Sequence, residues 1–273
     1  MLSQLINPRA IETFLLARWV VFVMIYARIA GVLLPIPIFS RPYLPRRVRF
    51  ALALVLTFLI FPLVPEAAVP EAVSSKPGCV LVLNTAIEFL IGLAAGVGIA
   101  LFFSALTLLG ELASRLGGWS VAAAFNSPVE ERPVLITFVT LLGIVVFFLS
   151  GGMPRLVIGL LESFRVTTLG NPLTLENLTL VKVVDLLNAA VTSALGLALR
   201  MAFPLILTSF TVWLAAGLLA RSIPNLGMMP IGFSANTLLS LALMNLTIAV
   251  VFALFGQKIT QAFEILRSFG GGS

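Results

Sequence analysis

The sequence predicts an all-α, polytopic integral membrane protein built from about six long, partly kinked helices. Three observations carry that prediction. Of 273 residues, 60% are hydrophobic and only 10% are charged, where soluble chains average about 45–50% and about 25%. The mean hydropathy is +1.13. The apolar residues also gather into long runs, and a spanning helix needs ~20 of them to cross a hydrocarbon core of ~30 Å. These features exclude a soluble enzyme domain, a disordered protein and a disulfide scaffold. The chain reads as a single membrane domain over 1–273, with Gly270-Gly271-Gly272-Ser273 as a linker-like tail.

The runs fall in order at 14–34, 48–64, 80–109, 134–149, 183–220 and 231–255. In the first, Arg18 and Arg28 interrupt the apolar pattern and no A-x-A site follows, so the segment reads as retained rather than cleaved. Pro62 and Pro65 end the second. Between 65 and 78 the chain is rich in Pro, Glu and Ser, the composition of a surface loop. The third and fifth runs are too long for simple spans, at about 45 Å and about 57 Å for a rise of 1.5 Å per residue. A hairpin inside the fifth lacks turn residues, so a helix kinked near Pro204 is expected. Between the fourth and fifth runs, 156–169 is a shorter amphipathic stretch.

Topology by positive loop charge gives a tie. With Arg49 counted in the first loop, the Lys and Arg residues of the loops and tails divide equally between alternate compartments, where ordinary inner-membrane proteins show a clear asymmetry. Some of the runs are therefore expected not to span. The strongest basic cluster is Arg41, Arg46, Arg47 and Arg49. It reads as solvated flanking charge, or as a surface for anionic lipid or an acidic partner.

Histidine is absent, which removes the commonest general base and metal ligand. The single Cys79 can form neither an internal disulfide nor a thiolate metal site, and is expected to be a small buried or interfacial residue. No catalytic residue, metal site or cofactor is expected. The net charge of +6 and pI near 10.4 come from basic residues flanking apolar runs without interleaved aromatics. That pattern suits a membrane surface or an assembly interface, not nucleic acid.

Apart from Arg49 at the very start of the second run, five charges lie inside apolar runs: Arg18, Arg28, Glu88, Asp185 and Arg200. Each Arg or Asp at a helix centre costs roughly 2.5–3.5 kcal/mol on insertion scales. They read either as an ion relay or as partnered charges, and the missing histidine and lack of a mid-span carboxylate favour pairing. Gly92 and Gly96 form a G-x-x-x-G that permits close helix approach, within the chain or against a neighbouring subunit. The stretch 110–128 is less apolar, with Gly110, Gly117 and Gly118, the charge pair Glu111 and Arg115, and a run of small residues ending at Phe125. It reads as a re-entrant loop or plug, or as a plain interfacial helix.

Four stretches together resemble the R-type export-gate family of flagellar and virulence type III secretion systems. The first runs from Arg28 through Pro37 and Ser40 to Pro45-Arg46-Arg47-Val48-Arg49. The second is Ile91-Gly92 with Gly96, leading to Gly110-Glu111. Gly151-Gly152 with Leu156, Leu160, Ser163 and Phe164 is the third. The fourth and most specific is Gly217-Leu-Leu-Ala-Arg221-Ser-Ile-Pro224-Asn225, followed by Gly232-Phe233. The chain departs from the family pattern at Met153-Pro154, at Ser234 and at Asn126-Ser127-Pro128.

The resemblance implies a non-catalytic subunit of a helical gate in the bacterial inner membrane, with re-entrant or raised hairpins. Its implied partners are P-type and Q-type export-gate subunits, the B-type switch protein, the large A-type export protein, unfolded export substrates and the lipid bilayer. It also implies a plug loop bearing Gly110, Glu111, Leu116, Gly117, Gly118, Trp119, Ser120, Phe125 and Pro128. Arg28, Pro37, Gly92, Gly96, Gly217, Arg221, Pro224, Asn225, Gly232 and Phe233 are the implied assembly and packing residues. For Arg221 a helix C-terminal charge is the plainer reading. A flagellar role is preferred. An injectisome subunit, a small-molecule or ion transporter and a purely structural scaffold are the alternatives.

Overall fold

The computed structural model describes residues 8–40, 43–64, 78–117, 134–166, 169, 178–222, 232, 234–239 and 242. All regular structure among them is helical. In order these are α1 (Pro8–Leu33), α2 (Arg46–Ile60), α3 (Gly78–Leu116), α4 (Val134–Leu149), α5 (Gly152–Val166) and α6 (Leu178–Ser222). Short 3-10 turns at Pro37–Phe39 and Phe61–Leu63 follow α1 and α2. Residues 234–239 form a further helical stretch.

Among the described residues, two helices are long and apolar enough to cross a membrane, Gly78–Leu116 and Leu187–Ser222. The bent pair of Leu135–Leu149 and Gly152–Phe164 would make a third. At 1.5 Å per residue, the 39 residues of α3 extend to about 58 Å and the 45 of α6 to about 68 Å, beyond a bilayer core of ~30 Å. The expected over-long segments are therefore single helices. α6 continues through Pro204 without a hairpin. The expected segment 231–255 lies largely outside the described residues, as does the loop at 65–77.

The residues cluster into two compact units. The first holds α1, α2, the N-terminal part of α3 up to Ala100, α5 from Met153, and α6 up to Ala190. Its core is the inner face of α1, where Met24, Ile25, Ile29 and Leu33 are fully buried with Ile36 and Ile60. Spacings of three and four residues put these side chains on one helix face. Phe22 stacks edge-on against Phe58 at 5.3 Å and Phe61 at 5.8 Å, which ties α1 to the end of α2. In α5, Leu156, Leu160 and Phe164 are buried while Ile158 is exposed, so the expected amphipathic stretch is a one-faced helix.

The second unit holds α3 from Leu101, α4, and α6 from Val191. Phe103 and Phe147 meet at 5.9 Å in its core, with Leu106 fully buried beside them. Gly143 of α4 leaves the room that Leu106 fills. α4 ends at Gly151, whose φ of +73° is the left-handed cap that glycine adopts without strain. Pro154 then falls in the first turn of α5, where a missing N–H costs nothing. The departure at Met153-Pro154 thus suits the start of a helix.

Candidate functional site

Two constructions on the long helix α3 bear on function. The first, in the first unit, begins with Arg28. Its place on the buried face of α1, in register with Ile25 and Val32, carries the guanidinium into the core. Nε donates to Glu88 Oε2 at 2.7 Å, and Nη2 pairs with the same oxygen. Nη1 donates to the Ser163 carbonyl at 2.9 Å and to Ser163 Oγ at 3.4 Å. The Phe164 ring centroid lies 4.5 Å from Cζ, within cation–π range. The Arg28 and Glu88 side chains are 1% and 0% exposed. One planar fork therefore joins α1, α3 and α5, which a lysine ammonium cannot do with the same geometry.

Glycines make this approach possible. A Cβ on Gly92 would overlap the Arg28 carbonyl, and one on Gly96 would overlap the Val32 carbonyl and sit 2.7 Å from Pro35 Cγ. From the other side, a Cβ on Gly31 would overlap the Phe89 carbonyl. The G-x-x-x-G therefore packs against α1 of the same chain, where an intersubunit contact was the other expectation. Pro37 opens the 3-10 turn after α1, and Ser40 Oγ donates to its carbonyl at 2.9 Å. A cavity of about 50 Å³ lies beside Arg28, Gly92, Gly159 and Ser163, large enough to admit water.

Glu88, expected near a segment end, lies well inside α3 and is enclosed. Arg28 is its counterion, and the pair latches α1 to α3. Arg18, Asp185 and Arg200 are exposed. Cys79 is exposed at the second position of α3.

The second construction, in the second unit, is the C-terminal end of α3. The stretch expected to loop from Gly110 is helical through Glu111 to Leu116, and Gly117 is a turn. Gly110 does not break the helix because it is a packing residue: a Cβ there would come within 2.9 Å of the Ile136 Cα of α4. Glu111 and Arg115 pair at 2.5 Å one turn apart on the exposed side, a contact worth about 0.3–0.5 kcal/mol.

A helix end leaves its last carbonyls without intrahelical donors. Here two side chains supply them. Asn236 Nδ2 donates to the Leu116 carbonyl, and Thr237 Oγ1 donates to the Gly117 carbonyl at 2.7 Å. Asn236 is buried. These residues fix the point from which 118–133 departs. Sequence reasoning missed them, since an Asn-Thr pair in an apolar run carries no motif. The one available signal was their place just after Gly232-Phe233.

Of the remaining expected residues, Gly232 packs on α6, where a Cβ would lie 3.4 Å from Ala216 Cβ and 3.6 Å from Trp213. Gly217 and Arg221 are exposed near the end of α6, with Arg221 in its last turn. Arg46, Arg47 and Arg49 open α2 with no acidic residue in the first turn. Cations there oppose the helix dipole, so they do not serve helix stability. Arg41, Gly118, Trp119, Ser120, Phe125, Pro128, Pro224, Asn225 and Phe233 lie outside the described residues. Among the described residues no three His, Cys, Asp or Glu side chains converge as metal ligands.

The chain matches the family model of bacterial export proteins, family 1, over residues 19–262. It is 25% identical over 252 residues to the flagellar biosynthetic protein FliR of Aquifex aeolicus, covering 89% of this chain and 91% of that protein. It is 29% identical over 245 residues to FliR of Escherichia coli, covering 88% of each. With FliR of Caulobacter vibrioides it shares 22% identity over 245 residues, covering 89% of this chain and 94% of the relative. With helices as the regular structure of its described residues, two of them able to cross a membrane, and a family match spanning nearly its whole length, the chain belongs to the bacterial export proteins, family 1.

Proposed function

We propose that this protein is the R-type subunit of a flagellar type III protein export gate in the bacterial inner membrane. The observation that carries this reading is the family match over residues 19–262, together with relatives named as flagellar biosynthetic proteins. In this reading both compact units belong to one gate domain. The protein performs no catalysis. It assembles with P-type and Q-type subunits, meets the B-type switch protein and the large A-type export protein, and helps form a conduit for unfolded substrates.

The geometry supports a division of labour within the chain. The Arg28–Glu88 latch and the glycine contacts of α1 and α3 hold the first unit rigid. In the second unit, Asn236 and Thr237 anchor the residues from which 118–133 departs. We assign that segment, with Trp119, Phe125 and Pro128, as the plug that seals the closed conduit and moves when substrate passes. The basic start of α2 meets anionic lipid or an acidic partner.

Deleting the gene in its own organism and assaying flagellar subunits in the medium tests the reading. Loss of filament and of exported subunits, restored by a plasmid copy, is expected. Normal export in the deletion strain would contradict it.

A further inference from the structure

α2 opens on a cluster of arginines. Arg46 and Arg47 are exposed and Arg49 is half-buried. Among the described residues no carboxylate pairs with any of the three. The enclosed Nε of Arg49 has no protein acceptor. Cations at this end oppose the helix dipole, so the fold of α2 gains nothing from them.

The apolar surface of α2 begins where the arginines end. Ala53, Leu56 and Ile60 face the core. On the outer side Phe50, Leu54 and Phe58 continue from Arg46 at four-residue spacing, and Val55 and Leu59 lie on the row that starts at Arg47. These five apolar side chains are between 45% and 66% exposed. Cα–Cβ bonds tilt toward a helix N-terminus, so the arginines lean away from the apolar rows.

The lengths match a leaflet. The 15 residues of α2 extend to about 22 Å, short of a hydrocarbon core of ~30 Å. From Val48 to Leu59 the apolar surface is about 16 Å long, close to half that core. Three occupants can be weighed. An acidic soluble segment neutralises the arginines and leaves the rows in water. A neutral apolar helix covers the rows and leaves the cations unpaired. An anionic phospholipid carries both parts in one molecule: its phosphate accepts from the guanidinium forks, and its acyl chains cover the rows to the depth of one leaflet.

We propose that Arg46, Arg47 and Arg49 hold the phosphate of an anionic phospholipid whose acyl chains lie along Phe50, Leu54, Val55, Phe58 and Leu59. The proposal rests on the membrane location in the reading above and narrows the basic start of α2 to one ligand. In its test the tagged full chain is isolated in mild detergent with whatever subunits accompany it. The sample is titrated with phosphatidylglycerol, phosphatidylcholine or inorganic phosphate, and bound ligand is read by native mass spectrometry. Phosphatidylglycerol is expected to bind more tightly than either of the others. The combined Arg46→Gln, Arg47→Gln and Arg49→Gln variant should raise its apparent Kd at least about tenfold. The melting temperature should not fall, because the charges removed oppose the helix dipole. Lysine at all three positions should retain most of the binding. Equal affinity of the glutamine variant and the wild type would overturn the proposal, as would equal affinity for phosphatidylcholine.

A photoreactive residue at position 54 or 55, with the arginines intact, reads the same surface in native membranes. Phospholipid adducts are expected. Adducts only to protein would overturn the proposal and give the surface to that partner. Both results leave the gate reading standing while the wild-type chain co-isolates with other gate subunits. A wild-type chain that isolates alone removes the gate reading, and the titration then reads the lipid site on the chain by itself.

Discussion

Arg28 of α1 and Glu88 of α3 close a buried ion pair that also reaches the Ser163 carbonyl and the Phe164 ring of α5. Its consequence is asymmetric. Removing one partner leaves the other charge enclosed without its counterion, at a cost of about 3–5 kcal/mol. Arg28→Met or Glu88→Leu alone should therefore sharply lower the protein's thermal stability in detergent and its accumulation in membranes. The double variant should recover much of both. Equal stability of the single variants and the wild type would refute the latch.

Glycines of similar appearance on α3 should respond differently. Gly92→Ala places a methyl against the Arg28 carbonyl, and overpacking of this kind costs about 1–3 kcal/mol. At Gly98 the nearest atom to a Cβ is Ala190 Cβ at 3.9 Å, an ordinary contact, so Gly98→Ala should gain up to about 1 kcal/mol of helix propensity. Melting of the two variants in the same detergent separates them, and a common shift would contradict the packing account.

Asn236→Ala and Thr237→Val each remove a donor from the end of α3. A carbonyl left without its donor costs about 1–3 kcal/mol where it is buried. Amide exchange should rise in the last turn of α3 while the middle of the helix keeps its protection. Unchanged exchange at that end would show that the two side chains are not its anchor.

In the assembled gate, shortening the chain by residues 118–125 should leave assembly intact and let the closed conduit pass ions or small molecules. A membrane seal equal to that of the wild type would remove the plug assignment.

Much of this architecture was legible in the apolar pattern. The run 134–149 has the same bounds as α4, because the helix is uniformly apolar and ends at a glycine turn. Both over-long runs became still longer helices. The end of α3 was not legible. Gly110 reads as a breaker in sequence, yet it stays helical because the backbone of α4 occupies the space its side chain would need. The charges Arg28 and Glu88 stood out as costly and in need of a partner, but their pairing spans 60 residues and is decided by which helix faces meet. Asn236 and Thr237 left no signal beyond their place just after Gly232-Phe233, since a side chain that caps another helix needs no pattern along its own.

The most direct measurement is native mass spectrometry of the tagged chain isolated from its own membranes in mild detergent. The account predicts one copy of this chain bound to several copies of two smaller membrane proteins. A stable monomer or homodimer, under conditions that preserve other membrane complexes, would contradict it.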